Sequence, residues 1–100
     1  MVIAEISIVP LGTNSPSVSK YVAEAVKLIE QSGLAYELTP MGTVVEGELG
    51  QVLELLKRVH EVPFLMGAQR VVSTIRIDDR RDVQRGMREK VNSVKSKLEP

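Results

Sequence analysis

One hundred residues fit a single domain, read as 1–100, with one core and a modest buried fraction. Thirteen basic and thirteen acidic side chains cancel, so the chain lacks the electrostatic footprint that would draw it to a nucleic-acid backbone or an anionic membrane. Cysteine is absent, which excludes disulfides and thiolate metal sites, and no run approaches the roughly 18 apolar residues of a membrane span.

The N-terminal Met-Val-Ile-Ala-Glu has no basic stretch ahead of its apolar run. It does not read as a secretory signal, and a cytoplasmic location is the expectation. Hydrophobic residues make up 43% of the chain with only 3% aromatic, so the core must be aliphatic.

Residues 2–9, VIAEISIV, predict a first strand. Val2, Ala4, Ile6 and Ile8 form one face. Ile3, Glu5, Ser7 and Val9 form the other, too polar for an ordinary core. Val18, Val22, Ala25, Val26 and Ile29 recur at helical spacing, with Tyr21 beside them, and predict a helix over 17–32. Ser15 before Pro16 reads as its N-cap, and Gly33 as its stop.

Residues 35–39 and 43–47 predict two strands joined by Pro40-Met41-Gly42. Pro40 suits the second position of a type I turn, and Gly42 a left-handed residue after it. A second helix follows over 48–61, with Leu49, Val52, Leu53, Leu56 and Val59 as its stripe and Pro63 as its end. Residues 69–78 predict a fourth strand, with Val71, Ser73, Ile75 and Ile77 on one face and Arg70, Val72, Thr74 and Arg76 on the other. A third helix over 83–98 carries only a thin seam of Val83, Met87, Val91, Val94 and Leu98. So narrow a seam suits light packing or another subunit.

The order β-α-β-β-α-β, then a helix, predicts an α+β fold. Its core is a ferredoxin-like βαββαβ sandwich with an additional C-terminal helix. Both long helices then cover one sheet face. The other face exposes Glu5, Ser7, Thr74 and Arg76 among Val9 and Val72, and is a candidate for subunit contact.

The Gly-Thr-Asn-Ser-Pro-Ser loop at 12–17 lacks both G-x-G-x-x-G and the P-loop pattern. Its Ser and Thr residues read first as capping and turn chemistry, although a helix N-terminus can also take an anion or polar group. His60 is the only histidine. No multi-histidine metal site is available, and beside Arg58 and Glu61 it reads as a helix-end residue. Glu46 and Glu48 flank Gly47 and could hold a cation or serve acid–base work, or Glu48 could simply favour the helix dipole. The run Asp78-Asp79-Arg80-Arg81-Asp82 reads as a solvated turn or an intersubunit ion-pair cluster, since its arginines neutralise an acidic magnesium site. An RNA platform would stack bases on strand aromatics, and the strands offer only Tyr36.

Two stretches, ISIVPLGTNSPSVSKYVAEAVKLIEQSGLAYELTPMGTVVEGEL and GAQRVVSTIRIDDRRD, resemble the small thiamine-binding-protein family. The pairing of P-L-G-T before S-V-S with Y-E-L-T-P-M-G-T is the specific part. The resemblance implies a ferredoxin-like fold, homo-oligomers up to tetramers, and binding of thiamine or its pyrimidine part without established catalysis.

Thiamine combines a permanent thiazolium cation, an aminopyrimidine and a hydroxyethyl arm. On that resemblance Ser7, Thr13, Ser17, Thr39 and Thr43 would offer hydroxyls. Glu46 and Glu48 would offer charge, and Tyr21 and Met41 a ring surface. Glu46 is expected to face the cation more freely than Glu48. The 10–19 loop is expected both to cap the first helix and to line one wall of the pocket.

The expectation is a non-enzymatic, cytoplasmic homo-oligomer, dimer or tetramer, binding thiamine or a hydroxymethylpyrimidine-like molecule. No metal, cofactor, nucleic acid or membrane is expected as partner. A regulatory or scaffolding oligomer sensing another small metabolite is the alternative. A small enzyme using Glu46 or Glu48 is a further one, disfavoured because no nucleophile–base pair stands out.

Overall fold

The computed structural model describes residues 1–99. Seven elements follow in order: β1 (Val2–Leu11), α1 (Ser19–Gln31), β2 (Ala35–Thr39), β3 (Gly42–Gly47), α2 (Leu49–Leu65), β4 (Arg70–Asp78) and α3 (Met87–Leu98). The sheet is antiparallel throughout, in the order β2-β3-β1-β4. This is the split βαβ arrangement of the ferredoxin-like sandwich, with α3 appended.

The alternation along β1 decides the layers. Val2, Ala4, Ile6 and Ile8 are each under 8% exposed and face the helices. They pack with Ala25 and Ile29 of α1, Val45 of β3, and Val52, Leu55, Leu56 and Val59 of α2. Full burial of such aliphatic side chains contributes about 1.5–3 kcal/mol each. Ile3, Glu5, Ser7 and Val9 face the other way, opposite Asp78, Arg76, Thr74 and Val72 of β4. Glu5 and Arg76 stand directly across this open face and pair at 3.1 Å.

Several local expectations are corrected. α1 starts at Ser19 with Val18 in the cap position and no side-chain cap; Ser15 instead accepts the Ser17 amide in a tight turn, at 3.1 Å. Gly33, at φ +78°, does close α1. Pro63 lies inside α2, which runs on to Leu65. The proline ring is buried, and the last turn closes through Met66 and Ala68 amides donating to the Pro63 carbonyl. Leu49 and Leu53 are exposed, and Leu55 and Val62 take their places in the buried stripe. Ile75 and Ile77 share the helix-facing side of β4 but are more than 40% exposed, since β4 is an edge strand. α3 begins at Met87 rather than 83 and buries none of its side chains.

Gly42 is needed for a different reason than a left-handed turn. Its φ is not positive, and the loop has two residues, since Thr39 pairs with Gly42. A Cβ there would stand 2.9 Å from the Ile6 carbonyl oxygen, a backbone atom that cannot swing away. The Thr39 hydroxyl secures the turn. It donates to the Gly42 carbonyl at 2.7 Å and accepts the Met41 and Gly42 amides at 3.3 and 3.2 Å.

Gly42→Ala is therefore expected to lower stability by about 1–3 kcal/mol through overpacking. Gly50→Ala, which meets nothing within 4 Å near the start of α2, is expected to raise stability by about 0.4–1 kcal/mol. Thermal melts of both variants check the pair; equal melting of Gly42→Ala and the parent would remove the close approach.

Candidate functional site

Of the openings beside α1, two gather residues named from the sequence. The first exists because β1 outruns β3. β3 pairs with β1 only as far as Ile6 opposite Thr43, whereas β4 stays paired with β1 to Leu11 opposite Arg70. The Ile6 carbonyl faces Gly42. By strand alternation Ile8 turns its peptide groups to the same side, beyond the last β3 partner. The resulting notch has a volume of 280 Å³. Its walls are Ser7 and Ile8 of β1, Val18 and Val22 at the entry to α1, Val59 of α2, and the hairpin from Leu38 to Thr43.

No charged side chain lines the notch. Its polar side chains carry hydroxyls. Thr43 is only 5% exposed, yet its hydroxyl has no hydrogen bond among the described residues. No enclosed side-chain oxygen or nitrogen lacks a partner among the described residues, so this hydroxyl opens onto the notch. Ser7 lines the notch from β1, at a position whose side chain faces the open side of the sheet. Thr39 lines the notch with its hydroxyl already engaged in the turn. Met41, 80% exposed, stands at the rim.

The second opening, of 560 Å³, lies between the loop after β1 and the loop after α2. Thr13 and Tyr21 line it, with Arg70 at the start of β4. The Thr13 hydroxyl donates to the Ser15 carbonyl at 3.2 Å.

The residues named from sequence thus divide. Ser7, Thr39, Met41 and Thr43 share the notch, and Thr13 and Tyr21 share the neighbouring cleft. Ser17 is exposed and lies within 3.4 Å of the Ser19 hydroxyl. Glu48 holds the cap position of α2 without a side-chain cap bond. Glu46 lies on the open face and is engaged elsewhere: its Oε2 accepts the Met87 amide at 2.8 Å and caps α3. Neither carboxylate lines the notch. Periodicity marks Ile8, Val18, Val22 and Val59 as core and Arg70 as a strand residue, and gives no sign that they or Gln69 line an opening. Their signal exists only in the register that places Arg70 beside Leu11.

The remaining candidates have structural settings. His60 lies a turn before the end of α2 rather than at it. Its Nδ1 is 2.6 Å from the Ser73 hydroxyl, and Phe64 meets the ring edge-on. Arg81 pairs with Asp79 at 2.7 Å and Arg80 with Asp82 at 2.6 Å. Hydrogen bonds from these guanidiniums hold both carboxyls below the usual carboxylate range. The two pairs are complete above that range and are lost as pH falls through the lowered values. Lys90 of α3 pairs with Asp78. Among the described residues, no group of three or more His, Cys, Asp or Glu is placed to hold a metal.

The fold and the uncharged notch define a small ferredoxin-like α+β protein with a pocket of ligand type. The family model for thiamine-binding protein matches residues 4–95, and the chain belongs to that family. It is 48% identical to a UPF0045 protein of Staphylococcus xylosus, over 98% of this chain and 95% of that one. It is 44% identical to a UPF0045 protein of Bacillus subtilis over the full length of both. A crystal structure from Methanocaldococcus jannaschii superposes with a TM-score of 0.85 at 39% identity, covering 94% and 95% of the two chains. A Thermotoga maritima protein assigned provisionally to thiamine biosynthesis or salvage superposes at 0.78 with 26% identity, covering 93% and 97%.

Glu46→Ala is expected to remove the α3 cap at a cost of about 0.5–2 kcal/mol. Because α3 buries no side chain, the loss should register locally. Faster hydrogen exchange at Met87–Lys90 with little change in the core melt is the expected result.

Proposed function

We propose that this protein binds thiamine or its hydroxymethylpyrimidine part in the notch, without catalysing a reaction on it. The unbonded Thr43 hydroxyl, on a residue only 5% exposed, carries this reading. Such a group gains a partner when a ligand brings one, and an aminopyrimidine has ring nitrogens and an amino group to offer. Family membership supports the same ligand class. The notch volume of 280 Å³ lies at the small end of ligand pockets and suits one ring.

Charge decides the orientation. A thiazolium carried into a site without a carboxylate would lose hydration without compensation. The pyrimidine therefore enters, beside Thr43, and the cation stays at the mouth in water. The notch offers no acid, base or activated nucleophile, which supports binding over catalysis. The His60–Ser73 pair lies outside it.

Thr43→Val is expected to weaken hydroxymethylpyrimidine and thiamine alike, by about 0.5–1.5 kcal/mol each in calorimetry. The two ligands should bind the parent protein with similar affinity. A strong preference for thiamine would place a carboxylate at the cation and overturn the orientation. Conversion of the bound compound, followed by mass spectrometry, would overturn the non-catalytic reading.

The working unit is proposed to be a homo-oligomer in the cytoplasm. The open sheet face carries Ile3, Val9, Val44 and Val72 around the Glu5–Arg76 pair, and Val91, Val94 and Leu98 of α3 are over half exposed. Burying these between copies would recover apolar area that the isolated chain leaves in water. Light scattering at micromolar concentration is expected to give a mass of two or four chains. A mass of 11.0 kDa, one chain, would defeat the assembly.

A further inference from the structure

The cleft beside the notch has a chemistry of its own. Its lining is Leu11, Gly12, Thr13, Asn14, Tyr21, Met66, Gly67, Ala68, Gln69 and Arg70, with no acidic residue. Tyr21 is 95% buried, from a relative exposure of 5%. Its hydroxyl has no hydrogen-bond partner among the described residues, and no enclosed side-chain oxygen is left unpartnered. The hydroxyl therefore reaches the opening that Tyr21 lines.

Arg70 stands at the first position of β4, opposite Leu11, and has no carboxylate partner among the described residues. Lys20, outside this lining, places its ammonium 5.2 Å from the Tyr21 ring centre. Gln69 and Asn14 add amide donors at the same opening. One lining cation without an acidic partner and a set of donors, with no carboxylate to compete, match the many acceptor lone pairs of a tetrahedral oxyanion.

We infer that the cleft formed by Tyr21, Gln69 and Arg70 with the Gly12–Asn14 loop is an oxyanion site, taking a phosphate group. The group is either free phosphate or the phosphate of a monoester. This inference stands on the cleft's own residues and does not depend on the ligand of the notch.

Calorimetry in phosphate-free chloride buffer tests it, with inorganic phosphate and phenyl phosphate as probes. Tyr21→Phe removes a hydroxyl that bonds nothing among the described residues, so folding is expected to be unaffected, and melts verify this. Binding of one equivalent is expected, weakened roughly fivefold by Tyr21→Phe and tenfold or more by Arg70→Gln. Arg58→Gln, on the exposed side of α2, should leave it unchanged. Equal binding of both probes assigns the site to free phosphate, and a preference for phenyl phosphate to a monoester. No binding of either probe overturns the inference. So does binding that Tyr21→Phe leaves intact while Arg70→Gln and Arg58→Gln weaken it equally. Hydroxymethylpyrimidine titrated in the same series keeps the two sites separate, since its affinity should be the same in the parent, Tyr21→Phe and Arg70→Gln.

Discussion

The unequal lengths of the strands beside β1 govern what this molecule can do. β4 follows β1 to its end, while β3 turns away after Ile6 because the two-residue hairpin closes at Thr39 and Gly42. The last residues of β1 are therefore paired on one edge only. Peptide groups on a free edge within an apolar setting call for a partner. The notch forms at that edge, and the long β1–β4 pairing sets Arg70 beside the loop that forms the second cleft. Gly42 makes the geometry reachable, since any side chain there would meet the Ile6 carbonyl.

The distribution of charge follows from the same scaffold. Carboxylates close to the hairpin in sequence are drawn into structural work. Glu46 caps α3 from across the chain, and Glu5 pairs with Arg76 across the open face. Asp78 and Asp79 hold Lys90 and Arg81. What remains at the notch is hydroxyl, free-edge peptide and hydrocarbon, and what remains at the cleft is donors and positive charge. Two neighbouring openings of such different polarity are suited to different chemical groups.

α3 is held differently from the rest. Its first turn is fixed by Glu46 and Lys90, and none of its side chains is buried. The chain is correspondingly elongated, with a radius of gyration of 15.0 Å against about 13 Å for a compact chain of this length. A helix whose apolar seam finds no home in its own subunit is stabilised when another surface covers it. The half-apolar open face has the same property.

Periodicity and turn chemistry alone determined the element order, the sandwich, the core face of β1 and the open face opposite it. These depend on side-chain spacing, which a strand or helix converts directly into one face or another. The motifs P-L-G-T and Y-E-L-T-P-M-G-T carried the family. Tertiary structure decided the rest. Pro63 reads as a stop, yet its buried ring and closing turn let α2 continue. Ser15 reads as a cap, yet a turn within the loop claims its hydroxyl first. Glu46 reads as a free carboxylate, and only the fold brings Met87, 41 residues away, to its oxygen. Thr43 is legible in the sequence as a hydroxyl and Tyr21 as a ring surface. That each hydroxyl would be left without a partner at an opening depends on the register of β3 and the packing of α1, which no local pattern encodes.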